Sequence, residues 1–278
     1  MVHKLALVAL IGLTGSAACI GAAAAIGGKD FGGSFRDFSL FDGRPSCAAV
    51  AGATATSRDM DWDGSDHVGM SLLGQANYTP GSDQKLHATG DAQVLAHLRI
   101  RHGNVELDCH GWQDRTRDLV ITLPGREFAK YAAVGGTMAL THLNQPSAEI
   151  AIAGSGTVKA NGNVDDLKVS IGGSGKADLD QITAHQAKVS IGGAGTVRAN
   201  GKIDDVKIEI GGSGRADFGQ VASRTAKVSI GGSGNADIAP SEDAKIEIGG
   251  SGDVTLHSDP KQMDTEIGGS GHIHKAAS

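Results

Sequence analysis

The second half of the chain repeats itself every 18 to 20 residues, and this period constrains the fold more than any other feature. Each copy has an isoleucine directly before a glycine-rich cluster, at Ile152, Ile171, Ile191, Ile210, Ile230, Ile248 and Ile267. The first cluster reads AGSG and the later ones read GGSG or GGAG, while Val134-Gly135-Gly136 is a degenerate earlier copy. A unit this short cannot bury its own apolar face, so the copies are expected to stack as a solenoid.

The residues on either side of each cluster decide between helix and strand. Lys168-Val169-Ser170-Ile171 before a cluster and Lys176-Ala177-Asp178-Leu179 after it both alternate polar and apolar side chains. This period of two indicates strands with one buried face, and the β-branched inward residues favour strands as well. A third short strand is expected through Leu167 and Val206. The sequence therefore predicts an all-β, parallel β-helix, expected to be right-handed, with about 7–8 coils of 18–20 residues.

The glycines of the clusters are predicted to form the corners between strands. A corner requires either a positive φ or a close approach of two backbones, and glycine permits both. Asn161-Gly162 and Asn200-Gly201 are expected to form the next corner on alternate coils through the left-handed region. The predicted structural corners are Gly172, Gly173, Gly175, Gly192, Gly193, Gly195, Gly211, Gly212, Gly214, Gly231, Gly232, Gly234, Gly249, Gly250, Gly252, Gly268, Gly269 and Gly271.

The repeats, together with the lead-in Val120-Ile121-Thr122-Leu123-Pro124 and with Val134-Gly135-Gly136, resemble a known family. It is the head GIN domain of putative auto-transporter adhesins, a bacterial envelope domain whose function is otherwise unknown. The similarity is strong over residues 119–278 and weaker back to residue 46. The resemblance implies an exported parallel β-helix and carries over no catalytic residues.

The N-terminus has the pattern of an export signal. Lys4 precedes the apolar run Leu5–Leu13, and small residues lead to Ala23-Ala24-Ala25, where cleavage is expected. Residues 1–25 are therefore predicted to be a signal peptide, and the protein is expected in the periplasm or at the cell surface. Lipidation at Cys19 after signal cleavage is the less favoured alternative.

Export would place the two remaining cysteines, Cys47 and Cys109, in an oxidising compartment, where a disulfide between them is expected. Two buried, unpaired thiols are the alternative.

Three further segments follow the predicted signal peptide. Residues 26–45 carry Phe31, Phe35, Phe38 and Phe41 among glycines, and we interpret them as a flexible linker or a cap that packs its own rings. A stripe that binds a partner is the less favoured interpretation. Residues 46–125 are predicted to form an antiparallel β-region that caps the solenoid, and residues 126–278 to form the parallel β-helix.

The net charge argues against one class of function, and the lack of inserted loops argues against another. Lys and Arg number 25 against 31 Asp and Glu, and this net charge of -6 argues against a nucleic-acid binder that works through bulk charge. A glycan-active β-helix enzyme, a lyase or hydrolase, would need loops that build a cleft, and none is inserted between residues 150 and 278.

We therefore expect an exported, non-enzymatic cell-envelope protein that is adhesin-like or a scaffold, without a cofactor. Its expected partner is an envelope polysaccharide or a surface protein. The glycan-active enzyme remains the alternative.

Two groups of side chains have metal-ligand character. Asp59, Asp61, Asp63 and Gly64 copy the first half of a calcium loop, but Met70 stands where its last acid belongs. A strand with outward aspartates explains the same spacing and is favoured. The second group consists of side chains expected to point outward on two successive coils, namely Asp253, His257, His272 and His274. They are candidate zinc or copper ligands, but solvated surface residues are the favoured interpretation.

One column of like charges is expected on the outer face, three residues before each repeat isoleucine. This lysine ladder consists of Lys168, Lys188, Lys207, Lys227 and Lys245. Stacked ammonium groups about 4.8 Å apart repel one another, so the ladder is expected to leave positive charge unbalanced. An anionic surface polymer could then bind along it. A solvated face that protects the strands from aggregation is the favoured alternative.

Overall fold

The computed structural model describes residues 44–276. The predicted signal peptide, Cys19 and the four phenylalanines of the linker lie outside the described residues. Within them the chain is all-β, a β-solenoid of about eight turns with an N-terminal region that contains antiparallel strands. The predicted parallel β-helix is therefore confirmed.

The strands fall into a short N-terminal set and a long solenoid set. The N-terminal strands are β1 (Ser57–Asp61), β2 (His67–Met70), β3 (Gln75–Tyr78), β4 (Lys85–Thr89), β5 (Leu98–Arg101), β6 (Asn104–Leu107), β7 (Val120–Thr122) and β8 (Lys130–Ala133). The solenoid strands are β9 (Thr137–Ile152), β10 (Thr157–Ile171), β11 (Lys176–Ile191), β12 (Thr196–Ile210), β13 (Arg215–Ile230), β14 (Asn235–Ile248), β15 (Val254–Leu256), β16 (Gln262–Ile267) and β17 (Ile273–Lys275). A short helix α1 (Ala92–His97) and a 3₁₀ helix (Gln113–Thr116) complete the described elements.

Each long strand forms one whole coil, bent at its corners rather than broken. Neighbouring coils pair in parallel and in register, so that Ile152, Ile171, Ile191 and Ile210 stack directly on one another. The third side expected near Leu167 is part of this continuous strand. The inward side chains are almost fully buried and form one contiguous core of Ile, Val, Leu and Ala.

The solenoid begins earlier in the chain than the predicted boundary at residue 126. Strand β2 pairs in parallel with β8, and β3 pairs in parallel with β9, so β2 and β3 form sides of the first coil. The antiparallel pairs of the predicted N-terminal region are present as well: β1 with β4, β4 with β7, and β5 with β6. Residues 46–125 therefore contain both the cap and the first rung of the solenoid.

Two features hold the capped end together. The rings of Trp62, Tyr78, Phe128 and Tyr131 pack edge to face or tilted, with centroids 5.2–5.9 Å apart. Cys47 and Cys109 form a disulfide between residues separated by 62 positions, which is the expected pairing. The disulfide fastens the first described residues to the chain that follows β6.

The corner glycines are required by close approach rather than by a positive φ. None of the GGSG glycines has a positive φ. A Cβ added at Gly232 would lie 2.2 Å from the carbonyl oxygen of Gly212 on the preceding coil, and at Gly234 it would lie 2.5 Å from that of Gly214. A Cβ at Gly231, the first glycine of the same cluster, would meet nothing within 4 Å. In the clusters 231–234, 249–252 and 268–271, the second and fourth positions therefore need glycine for space and the first does not.

Left-handed backbone occurs instead at the next corner, and it alternates between coils. Gly162 and Gly201 have φ values of 121° and 116°, as the Asn-Gly pairs predicted. On the coils that precede them, His142 and Gln181 occupy the left-handed region with φ values of 55° and 51°. The side chains of Asn161 and Asn200 accept hydrogen bonds from the backbone N–H groups of His142 and Gln181, at 2.7 and 2.6 Å respectively. Each asparagine thus stabilises the left-handed residue one coil earlier.

Candidate functional site

The predicted lysine ladder is present on the outer face of the solenoid. Strand pairing places Lys168, Lys188, Lys207, Lys227 and Lys245 in one column, one residue per coil. The column is extended by Glu149 on the preceding coil and by Asp264 on the following one.

The ladder is better neutralised than the sequence suggested. Lys207 lies 2.7 Å from Glu209, and Lys168 lies 3.4 Å from Glu149. The ammonium group of Lys245 lies 3.3 Å from Glu247, and this carboxylate together with Asp264 raises the pKa of Lys245. Lys227 also reaches Glu247, and none of the five lysines lacks a partner. The expectation of unbalanced charge therefore holds only in part, because Glu209 and Glu247, two residues along the strand, reach the column.

A second ladder on the outer face alternates in sign. Lys159, Asp178, Arg198 and Asp217 follow one another in register on successive coils. Arg198 lies 3.7 Å from Asp217, so successive rungs partly neutralise each other. Beside this ladder lies an open groove of about 500 Å³, lined by Asp178, Leu179, Asp180, Arg198, Ala199, Asn200, Asp217 and Gln220. The groove has no aromatic ring in its lining, which a glycan-stacking cleft would be expected to have.

The four candidate ligands near the C-terminus share a face but do not converge. Strand register places Asp253 beside His272, and their side chains lie 3.5 Å apart. His257 instead turns back to the buried Asp237, at 3.3 Å. The rings of His272 and His274 are stacked with centroids 5.9 Å apart. The structure therefore divides the predicted set into separate contacts rather than one metal site.

The aspartates that resemble a calcium loop also diverge. Asp59 and Asp61 lie on β1 and contact His87 and Lys85 on the neighbouring strand. The carboxylate of Asp63 accepts hydrogen bonds from the backbone N–H groups of Ser65 and Gly103. These three carboxylates have separate protein partners, and the favoured interpretation as a strand with outward aspartates holds for Asp59 and Asp61.

Among residues 44–276, one group of three side chains has ligand atoms close enough for a metal, namely His97, Asp108 and Cys109. The sulfur of Cys109 is bonded to Cys47, so it offers no thiolate. Asp108 is held by His97 at 2.7 Å and by Arg99 at 2.6 Å. The group is therefore a hydrogen bond and an ion pair to one carboxylate beside a disulfide.

Sequence reasoning missed an imidazole held between two carboxylates. His87 Nδ1 lies 2.6 Å from Asp59, and Nε2 lies 2.6 Å from Asp83. The hydrogen bonds to Asp59 and then to Asp83 raise the pKa of His87 above its usual 6.5. The pKa of Asp83 is lowered, first by the backbone N–H of Lys85 and then by His87. The sequence could have revealed the contact between His87 and Asp59 only if the register of the antiparallel pair β1 and β4 had been known.

The model of the family described as "Putative auto-transporter adhesin, head GIN domain" matches residues 66–260. The chain belongs to this family. The match begins at the first rung of the solenoid, β2, and so agrees with the structure about where the repeating part starts. No curated protein matches the chain.

Solved structures of similar fold come from Parabacteroides and Bacteroides species. A putative lipid binding protein from Parabacteroides distasonis superimposes with a TM-score of 0.69 at 22% identity, covering 80% of this chain and 96% of that one. A putative adhesin from Parabacteroides merdae gives 0.67 at 14% identity, covering 80% and 95%. One from Bacteroides fragilis gives 0.60 at 16% identity, covering 79% and 96%. At these identities the likeness establishes the fold alone.

No helix of residues 44–276 has the length and apolar character that crossing a membrane requires.

Proposed function

We propose that the chain is an exported, non-enzymatic protein of the bacterial cell envelope that acts as an adhesin-like or scaffolding module. The apolar run Leu5–Leu13 and the small residues after it support export. Membership in the head GIN family supports the adhesin-like role, because that family is named for adhesins. The resulting location is the periplasm or the cell surface.

One observation carries the non-enzymatic part of the proposal. The outward charged side chains of the solenoid form ion pairs with one another. Lys207 lies 2.7 Å from Glu209, and Arg224 lies 2.7 Å from Asp205. An acid–base pair for glycan cleavage would need carboxyl groups held apart around a bound sugar, with loops that exclude water. The described coils carry regular ladders in place of such loops, which suits a rigid surface better than a reaction centre.

The inward side chains argue against a role in holding a lipid within the solenoid. One structural relative is named a putative lipid binding protein. In the described coils the inward Val169, Val189 and Ile208 have no exposed surface, and they belong to one continuous core. An acyl chain would need a cavity where these side chains pack.

Two experiments test the proposal. Cell fractionation should recover the processed protein outside the cytoplasm, and recovery in the cytoplasm would contradict the proposed location. The purified protein should bind a class of envelope glycan or surface protein on an array, without changing the size of any glycan tested. Cleavage of a polysaccharide would instead support the enzyme.

The lysine ladder is the first surface to test for adhesion. The triple variant Lys188→Gln, Lys207→Gln and Lys227→Gln should weaken binding to an anionic polysaccharide, and raised salt should weaken binding of the parent protein. The matched control changes Lys159, Lys176 and Lys202 to Gln, which removes the same charge elsewhere on the solenoid. Equal binding by both variants, or binding that salt does not affect, would show that the ladder is only a solvated surface.

A further inference from the structure

The last coil of the solenoid presents open strand edges. Strand β16 pairs with β14 and β17 pairs with β15, and no strand of residues 44–276 pairs with their outer edges. The inward side chains of β16 are exposed as a result. Ile267 is 46% exposed, whereas Ile248, beside it on the preceding coil, is 1% exposed. Met263 is 56% exposed beside the buried Ala244. An apolar edge of this kind is a template for pairing with another strand.

The capped end presents open edges as well. Among the described strands, β5 pairs with β6 alone and β1 pairs with β4 alone. The hairpin of β5 and β6 turns through His102 and Gly103, both with positive φ, as in a two-residue turn whose flanking pair is hydrogen-bonded. Hydrogen bonding alternates along an antiparallel pair, so the backbone N–H and C=O of Ile100 point away from β6.

The backbone of β16 offers matching groups. The N–H of Gly268 donates to the carbonyl oxygen of Ile248 at 2.8 Å, so Glu266, two residues earlier, also directs its backbone groups towards β14. The N–H and C=O of Thr265 therefore point to the open edge. Thr265 and Ile100 of two different copies can thus exchange two backbone hydrogen bonds.

The directions of the two strands agree with such a pair. Strand β6 is parallel to β2, and β2 is parallel to β8, so β6 runs in the direction of the solenoid strands. Strand β5 is antiparallel to β6 and therefore runs against that direction. When two copies are stacked along a common axis, β16 of one copy lies antiparallel to β5 of the next.

We propose that the last coil of one copy of this chain docks on the capped end of a second copy, with β16 pairing antiparallel to β5. Pairing Thr265 with Ile100 places Ile267 opposite the buried Leu98, so the apolar interior continues across the junction. The proposal goes beyond the proposed function and does not depend on it.

The charges of these two edges are complementary in the same register. Asp264 lies opposite Arg101, and Glu266 lies opposite Arg99, so both outward pairs join opposite charges. Arg101 is available for this contact, because its ion pair within the chain is long, at 3.8 Å from Glu106. A pair of β16 strands from two copies would instead bring four carboxylates together. Charge therefore favours docking of the last coil on the capped end over docking of two last coils.

The second pair of open edges repeats this complementarity with the signs reversed. Strand β1 carries Asp59 and Asp61, whereas β17 carries His274 and Lys275. Strand β1 runs in the direction of the solenoid strands, because β4 is antiparallel to both β1 and β7, and β7 is parallel to β3. Both sides of the solenoid thus meet a complementary edge of the next copy. Such a contact joins two different surfaces, so each added copy leaves one open end and the assembly grows along the axis.

Sedimentation velocity of the purified protein over a range of concentrations tests the proposal. Species of two, three and more copies should appear in succession as the concentration rises. Arg101→Asp and Asp264→Arg each place like charges at the junction, and each should raise the dissociation constant at least about tenfold. The matched controls Lys202→Asp and Asp165→Arg make the same changes of charge away from both ends, and they should associate like the parent protein.

Mixing the two junction variants identifies the pair of edges. An equal mixture of Arg101→Asp and Asp264→Arg should associate again, because each contact between unlike variants joins either the original pair or its reversal. A parent protein that stays monomeric at every concentration would overturn the proposal, as would an assembly that stops at two copies. Junction variants that associate like the parent, or a mixture that stays monomeric, would overturn it as well. Thermal melting of each variant verifies that the fold is retained.

Discussion

Adjacent glycines of one corner should respond very differently to the same substitution. Gly232→Ala adds a Cβ 2.2 Å from the carbonyl oxygen of Gly212 and 2.7 Å from that of Gly211. Gly231→Ala, its neighbour in the same cluster, adds a Cβ with nothing within 4 Å, at a φ that alanine can adopt. The two variants share the same change in the unfolded chain, so their difference isolates the contact between coils.

The magnitude follows from how far the coils must separate. A Cβ at 2.2 Å from an oxygen must retreat by about 1 Å to reach an ordinary contact, and two backbone hydrogen bonds cross at this point. They run from Ser233 N–H to Gly212 and from Gly231 N–H to Ile210, at 3.0 and 2.9 Å. Weakening both costs about 1 kcal/mol each, and overpacking adds about 1–3 kcal/mol. We therefore expect Gly232→Ala to lower the free energy of unfolding by at least about 3 kcal/mol.

Thermal and denaturant unfolding of both variants provide the measurement. For a domain of this size, about 3 kcal/mol corresponds to a decrease in Tm of about 6–12 °C. Gly231→Ala should stay within about 1 kcal/mol of the parent protein. Equal decreases in the two variants, or no decrease in either, would refute the conclusion that close approach requires the second glycine.

Two further predictions concern the capped end. Cys47→Ser with Cys109→Ser should lower the free energy of unfolding by about 4 kcal/mol in the chain-entropy model, and thiol titration of the unfolded, unreduced parent should detect neither cysteine; two reactive thiols would contradict the bridge. The pKa of His87, followed by NMR titration, should lie above 6.5 and fall towards 6.5 in Asp59→Asn or Asp83→Asn. Because this pKa is raised on folding, its contribution to stability is fully present below about pH 6.5 and is lost as pH rises through the folded-state pKa. An unshifted His87 in the parent protein would contradict the two hydrogen bonds.

The repeating part of the fold was predictable because local and long-range signals agree there. Val169 and Ile171 alternate with Lys168 and Ser170, and the same pattern returns one coil later at the same spacing. Parallel, in-register stacking is the arrangement that buries every such isoleucine at once. The lysine ladder followed directly from this register, and the structure confirms the column.

The first rung was not predictable in the same way. Strands β2 and β3 are only four residues long, and the turn between them contains Leu72-Leu73-Gly74 instead of a GGSG cluster. Alternation within β2 shows that one face is buried, but it does not reveal whether the partner strand is parallel or antiparallel. The predicted boundary at residue 126 therefore lies after the residue at which the solenoid begins.

Side-chain reach explains the errors at the candidate sites. Sequence spacing correctly placed His257 and His272 on one face, but His257 reaches back to Asp237 on the preceding coil. Likewise, Glu247 reaches both Lys227 and Lys245, which the spacing alone did not show. Predicting the contact of His87 with Asp83 requires knowing how the chain turns before the strand, and the alternation of polar and apolar residues does not reveal that path.

The asparagines that accept hydrogen bonds from the preceding coil bear on how such a chain can lengthen. Strands of 16 and 15 residues alternate from β9 to β12, and only the shorter ones carry the Asn-Gly pair. Duplicating a single coil would place two of the same kind together and leave either a left-handed residue without its asparagine or an asparagine without its left-handed residue. Duplicating the 39 residues from Ala153 to Ile191 would preserve every pairing and extend the axis by about 10 Å. Gene duplications that lengthen this solenoid should therefore add coils in twos.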